Sequence, residues 1–273
     1  MDIAVCVTKD RLGELTLEDS VLKFYDELAE DYHLIFVDWH LAIARQSEIL
    51  YKIIQSKLNL SSMQQVSLLD CSCGIGTQAI GLANYGFHVT ATDISAVSVK
   101  RAQKEAAHYG VKINFGVADF RELNTNVSGL FEIVLSADNA IPHLITDKDL
   151  HKACQNMYEK LHHNGFLLVT IKDYDAMVIE KIITTKPNIL DEGKRMTFQV
   201  YDWAEDGKTY TVNQFIMREI NGEWKTKHNS TQYRALLREE INKVLRMIGF
   251  VNIEWHFPEN TGYYQPILTA RKV

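Results

Sequence analysis

The sequence lacks long apolar runs and any excess of positive charge. No run approaches the ~20 apolar residues that cross a bilayer, so we expect no membrane partner. The formal net charge is -6, and no Lys/Arg run forms a stripe, which argues against a nucleic-acid partner. Charged residues interrupt the segment 1–19, so we expect no secretory signal and a cytoplasmic location.

Cysteine and proline are also scarce. The four cysteines are too unevenly spaced for a disulfide framework, and we expect four free thiols at Cys6, Cys71, Cys73 and Cys154. No second Cys/His pair follows Cys71 and Cys73 at zinc spacing, so no metal site is predicted. Only 4 prolines and 46% hydrophobic residues in 273 indicate a compact globular protein.

From residue 66 onwards, apolar runs of strand length alternate with helical patterns. Strands are predicted at 66–71, 87–92, 112–117, 131–136 and 165–171. Helices are predicted between them at 77–84, 95–108 and 147–161. This alternation is typical of βαβ units and predicts an α/β fold with a Rossmann-like, doubly wound parallel sheet.

The periodicity changes after the fifth strand. Three segments alternate apolar and polar residues and are separated by turn sequences, at 195–204, 208–219 and 223–233. We therefore predict an antiparallel β-insertion, residues 173–234, that forms a lid over the acceptor.

The remaining chain divides into a core and a cap. A helix at 235–248 and strands at 250–257 and 266–272 are expected to close the sheet. The core domain would then comprise residues 61–172 and 235–273. Residues 20–58 have a helical pattern, which predicts an N-terminal helical cap across 1–60.

A glycine-rich turn follows the first predicted strand. Asp70, Ser72, Gly74 and Gly76 lie in this turn, where glycines let the backbone close against a ligand at a helix N-terminus. An ordinary tight βα turn is the alternative, because the full dinucleotide fingerprint is absent. The second strand is followed by Asp93 and Ile94, and a carboxylate there can accept both ribose hydroxyls. Together these features predict an adenosyl ligand.

Two further elements distinguish S-adenosylmethionine from NAD. After the third strand, Asp119 can reach an adenine amino group and Phe120 can cover the base, although Asp119 could instead be a helix N-cap. After the fourth strand, Ala137 lies at the mouth from which a methyl group must emerge. The order of these elements favours the sulfonium cofactor.

The chain from Phe24 to its C-terminus resembles class I S-adenosylmethionine-dependent methyltransferases, particularly the glycine N-methyltransferase and glycine/sarcosine N-methyltransferase group. The more specific motifs are Tyr25-Asp26-Glu27-Leu28 with Trp39 and Arg45, the run 137–143, and Lys172-Asp173-Tyr174-Asp175. The resemblance implies that the cofactor contacts Trp39, Arg45, Ser72, Asp93, Asp119, Phe120 and Ala137. Arg45 would pair with the methionyl carboxylate, and S-adenosylhomocysteine would be the product.

The same resemblance implies a site for a small-molecule acceptor amine. Its residues would be Tyr25, Asn139, His143, Lys172, Tyr210 and Tyr233. The family has an arginine at the position of Lys172, which clamps an amino-acid carboxylate with a planar fork. This sequence departs from the family there, because lysine supplies the charge without the planar fork, which weakens the case for a carboxylate-bearing acceptor. A glycine- or sarcosine-type acceptor stays the favoured hypothesis.

Other interpretations of these residues remain open. Trp39 could be a core residue, Tyr210 and Tyr233 ordinary strand residues, and His143 a buried, hydrogen-bonded histidine. The acceptor could be an amino sugar or a phenolic oxygen, or the protein could bind an adenosyl ligand without catalysis. An NAD-dependent oxidoreductase would need a pyrophosphate fingerprint that the sequence does not contain.

Overall fold

The computed structural model describes residues 17–58 and 66–273. The helices are Leu17–Leu28 (α1), Trp39–Leu58 (α2), Thr77–Asn84 (α3), Ala96–His108 (α4), Leu123–Asn126 (α5), Asp147–Glu159 (α6), Tyr174–Glu180 (α7), Arg238–Ile248 (α8) and Pro258–Thr261 (α9). The strands are Ser67–Asp70 (β1), His88–Asp93 (β2), Asn114–Val117 (β3), Phe131–Ser136 (β4), Leu161–Thr170 (β5), Asn188–Leu190 (β6), Arg195–Trp203 (β7), Thr209–Ile220 (β8), Glu223–Arg234 (β9), Phe250–His256 (β10) and Ile267–Lys272 (β11).

Seven strands form the central sheet in the order β10-β11-β5-β4-β1-β2-β3. The strands β1 to β5 are parallel, and β11 runs antiparallel between β5 and β10. The predicted α/β, doubly wound fold is therefore confirmed. Because the strand order reverses between β1 and β4, a crevice opens at the carboxyl ends of these strands.

A second sheet has four antiparallel strands in the order β6-β7-β8-β9. The predicted β-insertion is confirmed, and the turn before β9 contains Asn221 and Gly222, both with positive φ, as a type I′ hairpin requires. The sequence pattern did not reveal α7 and β6, which precede the hairpins. The division into three domains stays a prediction.

The predicted helical pattern over 20–58 forms two helices, α1 and α2, with a break between them. The break contains a 3-10 turn at Tyr32–Ile35, and Phe36 is extended. Arg195 from β7 explains the break because its guanidinium binds the carbonyls of Leu34, Phe36 and Val37, which a continuous helix would need for itself. Tertiary contacts therefore override the helical pattern here.

Helix α8 starts three residues later than predicted. The amide of Ala235 still bonds the carbonyl of Lys208, so the strand pairing of β9 continues past its last residue. The Glu240 carboxylate then accepts from the amide of Leu237 at 2.9 Å, which caps the helix.

The central sheet is covered on both faces, and its middle strands are almost wholly buried. The thiols of Cys71, Cys73 and Cys154 are free and buried, whereas Cys6 and the rest of segment 1–16 lie outside the described residues. Within 17–58 and 66–273, no helix combines the length and apolarity that a membrane span needs.

Candidate functional site

The glycine turn between β1 and α3 adopts a left-handed backbone. Gly74 has φ 51° and Gly76 has φ 94°. A Cβ on Gly76 would also lie 3.0 Å from Ile80 Cδ1 and 3.3 Å from the Cβ of Ala102. Glycine is therefore needed at Gly76 for both conformation and space. Gly76 immediately precedes α3, so the turn directs the free amides of a helix N-terminus towards the crevice.

Asp93 is the last residue of β2, and its carboxylate connects the end of β2 to the glycine turn. Its Oδ2 accepts from the amide of Gly74 at 2.8 Å, and its Oδ1 accepts from the amide of Ser95 at 2.9 Å. Burial raises the pKa of Asp93, while these amide bonds favour its charged form. Each oxygen retains a lone pair, so the carboxylate can still accept a pair of hydroxyl groups.

A cavity of about 460 Å³ lies over the turn, and we call it the first cavity. Most of the cofactor-binding residues that the sequence predicts line it, namely Ser72, Gly74, Asp93, Ile94, Asp119, Phe120 and Ala137. Val21 and Tyr25 of α1 and Tyr32 of the 3-10 turn cover it. Its volume lies within the ~300–1,000 Å³ typical of small-molecule sites.

Asp119 lines the first cavity but has a partner of its own. Arg121 binds its carboxylate through Nε, at 3.1 Å from Oδ1 and 2.9 Å from Oδ2. The Arg121 amide adds a bond to Oδ1 at 2.8 Å. Asp119 is not a helix N-cap, because α5 begins after Glu122. A ligand that uses Asp119 must therefore share it with Arg121.

Four predicted cofactor residues do not line the first cavity. Trp39 is 4% exposed and donates from Nε1 to Oγ1 of Thr77 at 2.9 Å, so it supports the cavity wall from behind. Arg45 lies off the buried stripe of α2, where it is exposed and its Nη2 lies 3.5 Å from the carbonyl of Gly262. The structure thus does not bring Arg45 to the position expected for a carboxylate clamp.

Asp70 is the third residue, and it is buried beneath the turn at 0% exposure. Its Oδ1 accepts from the amide of Ser72 at 3.2 Å, and its Oδ2 has no hydrogen-bond partner. Burial raises the pKa of Asp70 to about 8. Gly76 likewise lies outside the lining and acts through the turn conformation.

A second cavity of about 420 Å³ adjoins the first. Tyr25, Tyr32 and Asp138 line both. The second cavity also contains Asn139, Lys172 and Tyr233 from the predicted acceptor site, with an apolar side formed by Phe24, Leu28, Ile35, Phe36 and Phe198. The three shared residues mark the place where ligands in the two cavities would meet.

Tyr25, His143 and Tyr233 form a hydrogen-bonded group beside this junction. His143 Nδ1 lies 3.2 Å from the carbonyl of Gln232, which can only accept, so Nδ1 carries the proton. Burial lowers the pKa of His143 to about 3, so the ring is neutral and Nε2 is an acceptor. Tyr25 therefore donates to His143 Nε2 at 2.9 Å, and the Tyr233 hydroxyl, 3.5 Å away, can donate to the Tyr25 oxygen, which keeps a second lone pair for another donor.

Asn139 connects the second cavity to a tyrosine pair. The Tyr174 hydroxyl lies 2.8 Å from Nδ2 and 3.0 Å from Oδ1 of Asn139, and Oδ1 also accepts from the amide of Lys172 at 3.0 Å. The Tyr210 hydroxyl is 3.0 Å from that of Tyr174. Tyr210 is buried and does not line the second cavity, so the structure places it behind Tyr174 and not against the acceptor.

Lys172 is a cation without an anion. Its Nζ donates to Oε1 of Gln199 and to the hydroxyl of Tyr201, both at 3.2 Å, and lies 4.8 Å from the Tyr201 ring centroid. No carboxylate among residues 20–58 and 66–273 lies within ion-pair distance of it. Burial lowers the pKa of Lys172 to about 8. Lys172 therefore provides an unneutralised positive charge at the wall of the second cavity.

Sequence reasoning missed several residues around Lys172 and the junction. Gln199 and Tyr201 were not singled out, although alternation along β7 places them on one face. The sequence pattern assigns no role to Tyr32, Tyr174 or Asp138. The position of Tyr32 and Asp138 at the junction is a structural finding.

Comparison with known proteins supports the arrangement of these elements. Residues 68–165 match a family described as a methyltransferase domain. The ubiquinone biosynthesis O-methyltransferase of Rickettsia prowazekii is 30% identical over 208 residues, which cover 72% of this chain and 80% of that protein. The chain belongs to the class I S-adenosylmethionine-dependent methyltransferases. The fold is thus that of a methyltransferase.

One further relative and one protein of similar fold are named for their methyl acceptors. The glycine/sarcosine N-methyltransferase of Parasynechococcus marenigrum is 26% identical over 196 residues, and the match spans 67% of this chain and 66% of that protein. The solved structure of CalS10, an amino pentose methyltransferase from Micromonospora echinaspora with bound S-adenosylmethionine, has a TM-score of 0.65. Its sequence identity is 16%, with 85% of this chain and 92% of that chain covered.

Proposed function

We propose that this protein transfers the methyl group of S-adenosylmethionine to the nitrogen of a small acceptor that carries a carboxylate, of the glycine or sarcosine type. The observation that carries the proposal is the unpaired Lys172 cation at the wall of the second cavity, which adjoins the first cavity. A relative named glycine/sarcosine N-methyltransferase supports the same acceptor class.

The residues of the first cavity fit S-adenosylmethionine. Asp93 retains lone pairs for ribose hydroxyls, and its two backbone partners hold it rigidly. Phe120 and Asp119 are placed for a base, and Ser72 and Ala137 lie towards β4, where the second cavity begins. Once bound, the cofactor supplies an electrophilic methyl group on a sulfonium.

The protein's own task is then to position an amine. Holding a nitrogen lone pair in line with a reacting carbon can lower a barrier by ~7–11 kcal/mol. Tyr25 suits this task because its proton is committed to His143, so its oxygen can accept an amine N–H. Lys172 would hold the far end of the acceptor through a charge-assisted hydrogen bond to its carboxylate.

An amino sugar is the second candidate acceptor. The second cavity of about 420 Å³ equals the liquid volume of about 14 water molecules at ~30 Å³ each, which is far more than glycine occupies. CalS10, which shares the fold, is named as an amino pentose methyltransferase. In this case Gln199 and Asn139 would bind sugar hydroxyls, and Lys172 would have no carboxylate to neutralise.

An acceptor screen with methyl-labelled cofactor distinguishes the two candidates. Glycine, sarcosine and an amino sugar without a carboxylate would be compared, with transferred methyl groups counted by mass spectrometry. The favoured proposal expects turnover of glycine or sarcosine at millimolar concentration. Turnover of the amino sugar alone would replace it by the second candidate, and tight cofactor binding without any turnover would identify a non-catalytic binding protein.

Substitution of Lys172 gives a second test in the same assay. A buried charge-assisted bond contributes about 1.5–3 kcal/mol, so Lys172→Met should raise the Michaelis constant for glycine about ten- to a hundredfold. Lys172→Arg should preserve turnover because it keeps the charge. Lys148→Met, on the exposed face of α6, is the matched control and should behave as wild type. An unchanged Michaelis constant in Lys172→Met would refute the carboxylate contact.

A further inference from the structure

Asp138 occupies an unusual position at the end of β4. Its φ is 56°, and that of Asn139 is 67°, so two consecutive non-glycine residues have a left-handed backbone. Side chains other than glycine are strained in this region, although Asp and Asn tolerate it better than most. Asp138 is also one of the three residues that line both cavities. A carboxylate is thus kept at the junction where glycine would be easier to accommodate.

The carboxylate of Asp138 has no cationic partner among the residues of 17–58 and 66–273. The hydroxyl of Tyr264 donates to its Oδ1. Hydrogen bonds from Tyr264 and Gln78 favour its charged form, but burial outweighs them and raises the pKa of Asp138. The titratable groups that interact with it electrostatically are all acidic: Tyr32, Tyr233, Tyr263, Tyr264 and Asp70.

The second cavity therefore contains opposite charges that do not neutralise each other. Asp138 follows β4 and Lys172 follows the neighbouring strand β5, yet no ion pair joins them. The backbone holds both positions, because the amide of Asp138 donates to Oγ1 of Thr170 at 2.9 Å and the amide of Lys172 to Asn139. A cavity with a fixed anion at the methyl-transfer end and a fixed cation elsewhere is complementary to a zwitterion.

We propose that Asp138 binds the ammonium group of a zwitterionic amino-acid acceptor and removes its proton, while Lys172 holds the carboxylate. This inference rests on the proposed function and adds a catalytic residue to it. One N–H bond of the ammonium breaks, its proton passes to the Asp138 carboxylate, and the electron pair remains on nitrogen. The nitrogen then forms a bond to the methyl carbon as the carbon–sulfur bond breaks, which gives a methylammonium product and a neutral thioether.

The test uses two substitutions of Asp138 in the full-length protein. Asp138→Asn keeps the shape but cannot take a proton, so kcat/KM for the acceptor should fall about a hundredfold at pH 7. The difference in kcat/KM between wild type and Asp138→Asn should shrink as the pH approaches the pKa of the acceptor amine, because the free amine then needs no base. The dissociation constant for S-adenosylhomocysteine should stay within about twofold of wild type, and Asp206→Asn in an exposed turn is the matched control.

The Asp138→Gly variant distinguishes a catalytic role of Asp138 from a structural one. Glycine relieves the positive φ, so the thermal midpoint should equal or exceed that of wild type, whereas the loss of kcat/KM should match that of Asp138→Asn. A lower midpoint with wild-type activity per folded molecule would indicate a structural role and overturn the inference.

Two other outcomes would also overturn it. If Asp138→Asn weakens binding of S-adenosylhomocysteine by the same factor as kcat/KM, the carboxylate serves the cofactor's amino group and not the acceptor. If Asp138→Asn retains full activity with a wild-type pH profile, Asp138 is not the base. Failure of the wild-type protein to methylate any amine would instead refute the proposed function itself.

Discussion

The charged Lys172 side chain should lower the free energy of unfolding of the protein, and this effect can be measured without knowing the acceptor. Burial lowers the pKa of Lys172 from 10.5 to about 8. Below pH 8 both the folded and unfolded states hold the proton, and the folded state bears the full penalty of a poorly solvated charge. Between about pH 8 and 10.5 the unfolded state binds more protons, so the free energy of unfolding rises with pH.

The size of this effect follows from the same two values. The difference between 10.5 and about 8 corresponds to about 3 kcal/mol at neutral pH. Lys172→Met removes the penalty together with the hydrogen bonds to Gln199 and Tyr201, which keep a bond to each other at 2.7 Å. We therefore expect a net stabilisation of about 1–2 kcal/mol at pH 7, with reduced turnover of a carboxylate-bearing acceptor.

Urea unfolding at pH 7 and pH 9.5 checks this prediction in wild type, Lys172→Met and Lys148→Met. The stability advantage of Lys172→Met over wild type should shrink between the two pH values, because wild type sheds the buried proton. Lys148→Met should follow wild type at both. A Lys172→Met variant that is no more stable than wild type at pH 7, with a difference independent of pH, would refute the reasoning.

Three further predictions concern the first cavity and the tyrosine pair. Asp93→Ala should weaken binding of S-adenosylhomocysteine at least about tenfold in calorimetry, because two ribose hydrogen bonds are lost. Arg45→Ala should leave that affinity within about twofold, since Arg45 lies outside the cavity. A large loss would instead indicate that Arg45 pairs with the methionyl carboxylate. Tyr210→Phe should lower kcat without changing cofactor affinity, because its hydroxyl acts through Tyr174 on Asn139; equal loss of both would make Tyr210 a packing residue.

The parts of the fold that depend on local periodicity could be predicted from the sequence. The bounds of α3 and β4 were predicted to the residue, because apolar runs and a following glycine define them locally. The break near residues 29–38 could not be predicted from periodicity, because Arg195, more than 150 positions away, stabilises it. The side chain of Asp38 does accept from the amide of Leu41 at 3.0 Å, which is a local signal for the start of α2.

The positions of the site residues could likewise be predicted only where they depend on local sequence. Residues at or shortly after the end of a strand line the cavities, as Asp93, Asp119 and Asn139 illustrate. Strand ends are brought together by the topology of a parallel sheet, so their sequence position is sufficient. Arg45 lies outside the cavity lining, and its place depends on the rotation of α2, which core packing around Leu50 and Ile54 determines. The partnership of Tyr174 with Tyr210 depends on how the two sheets meet, which no local pattern encodes.

Two unpaired charges in one cavity require an energetic explanation. A partly buried carboxylate and a partly buried ammonium each disfavour folding unless a partner neutralises them, and here the backbone holds Asp138 and Lys172 apart. The cost is tolerable if a ligand that carries both opposite charges is present in the cell, because binding to the folded state stabilises it by RT ln(1 + [L]/Kd). An acceptor with one charge would leave the other group unneutralised. The same two residues that lower the stability of the free protein would thus discriminate a zwitterion from a simple amine or a simple acid.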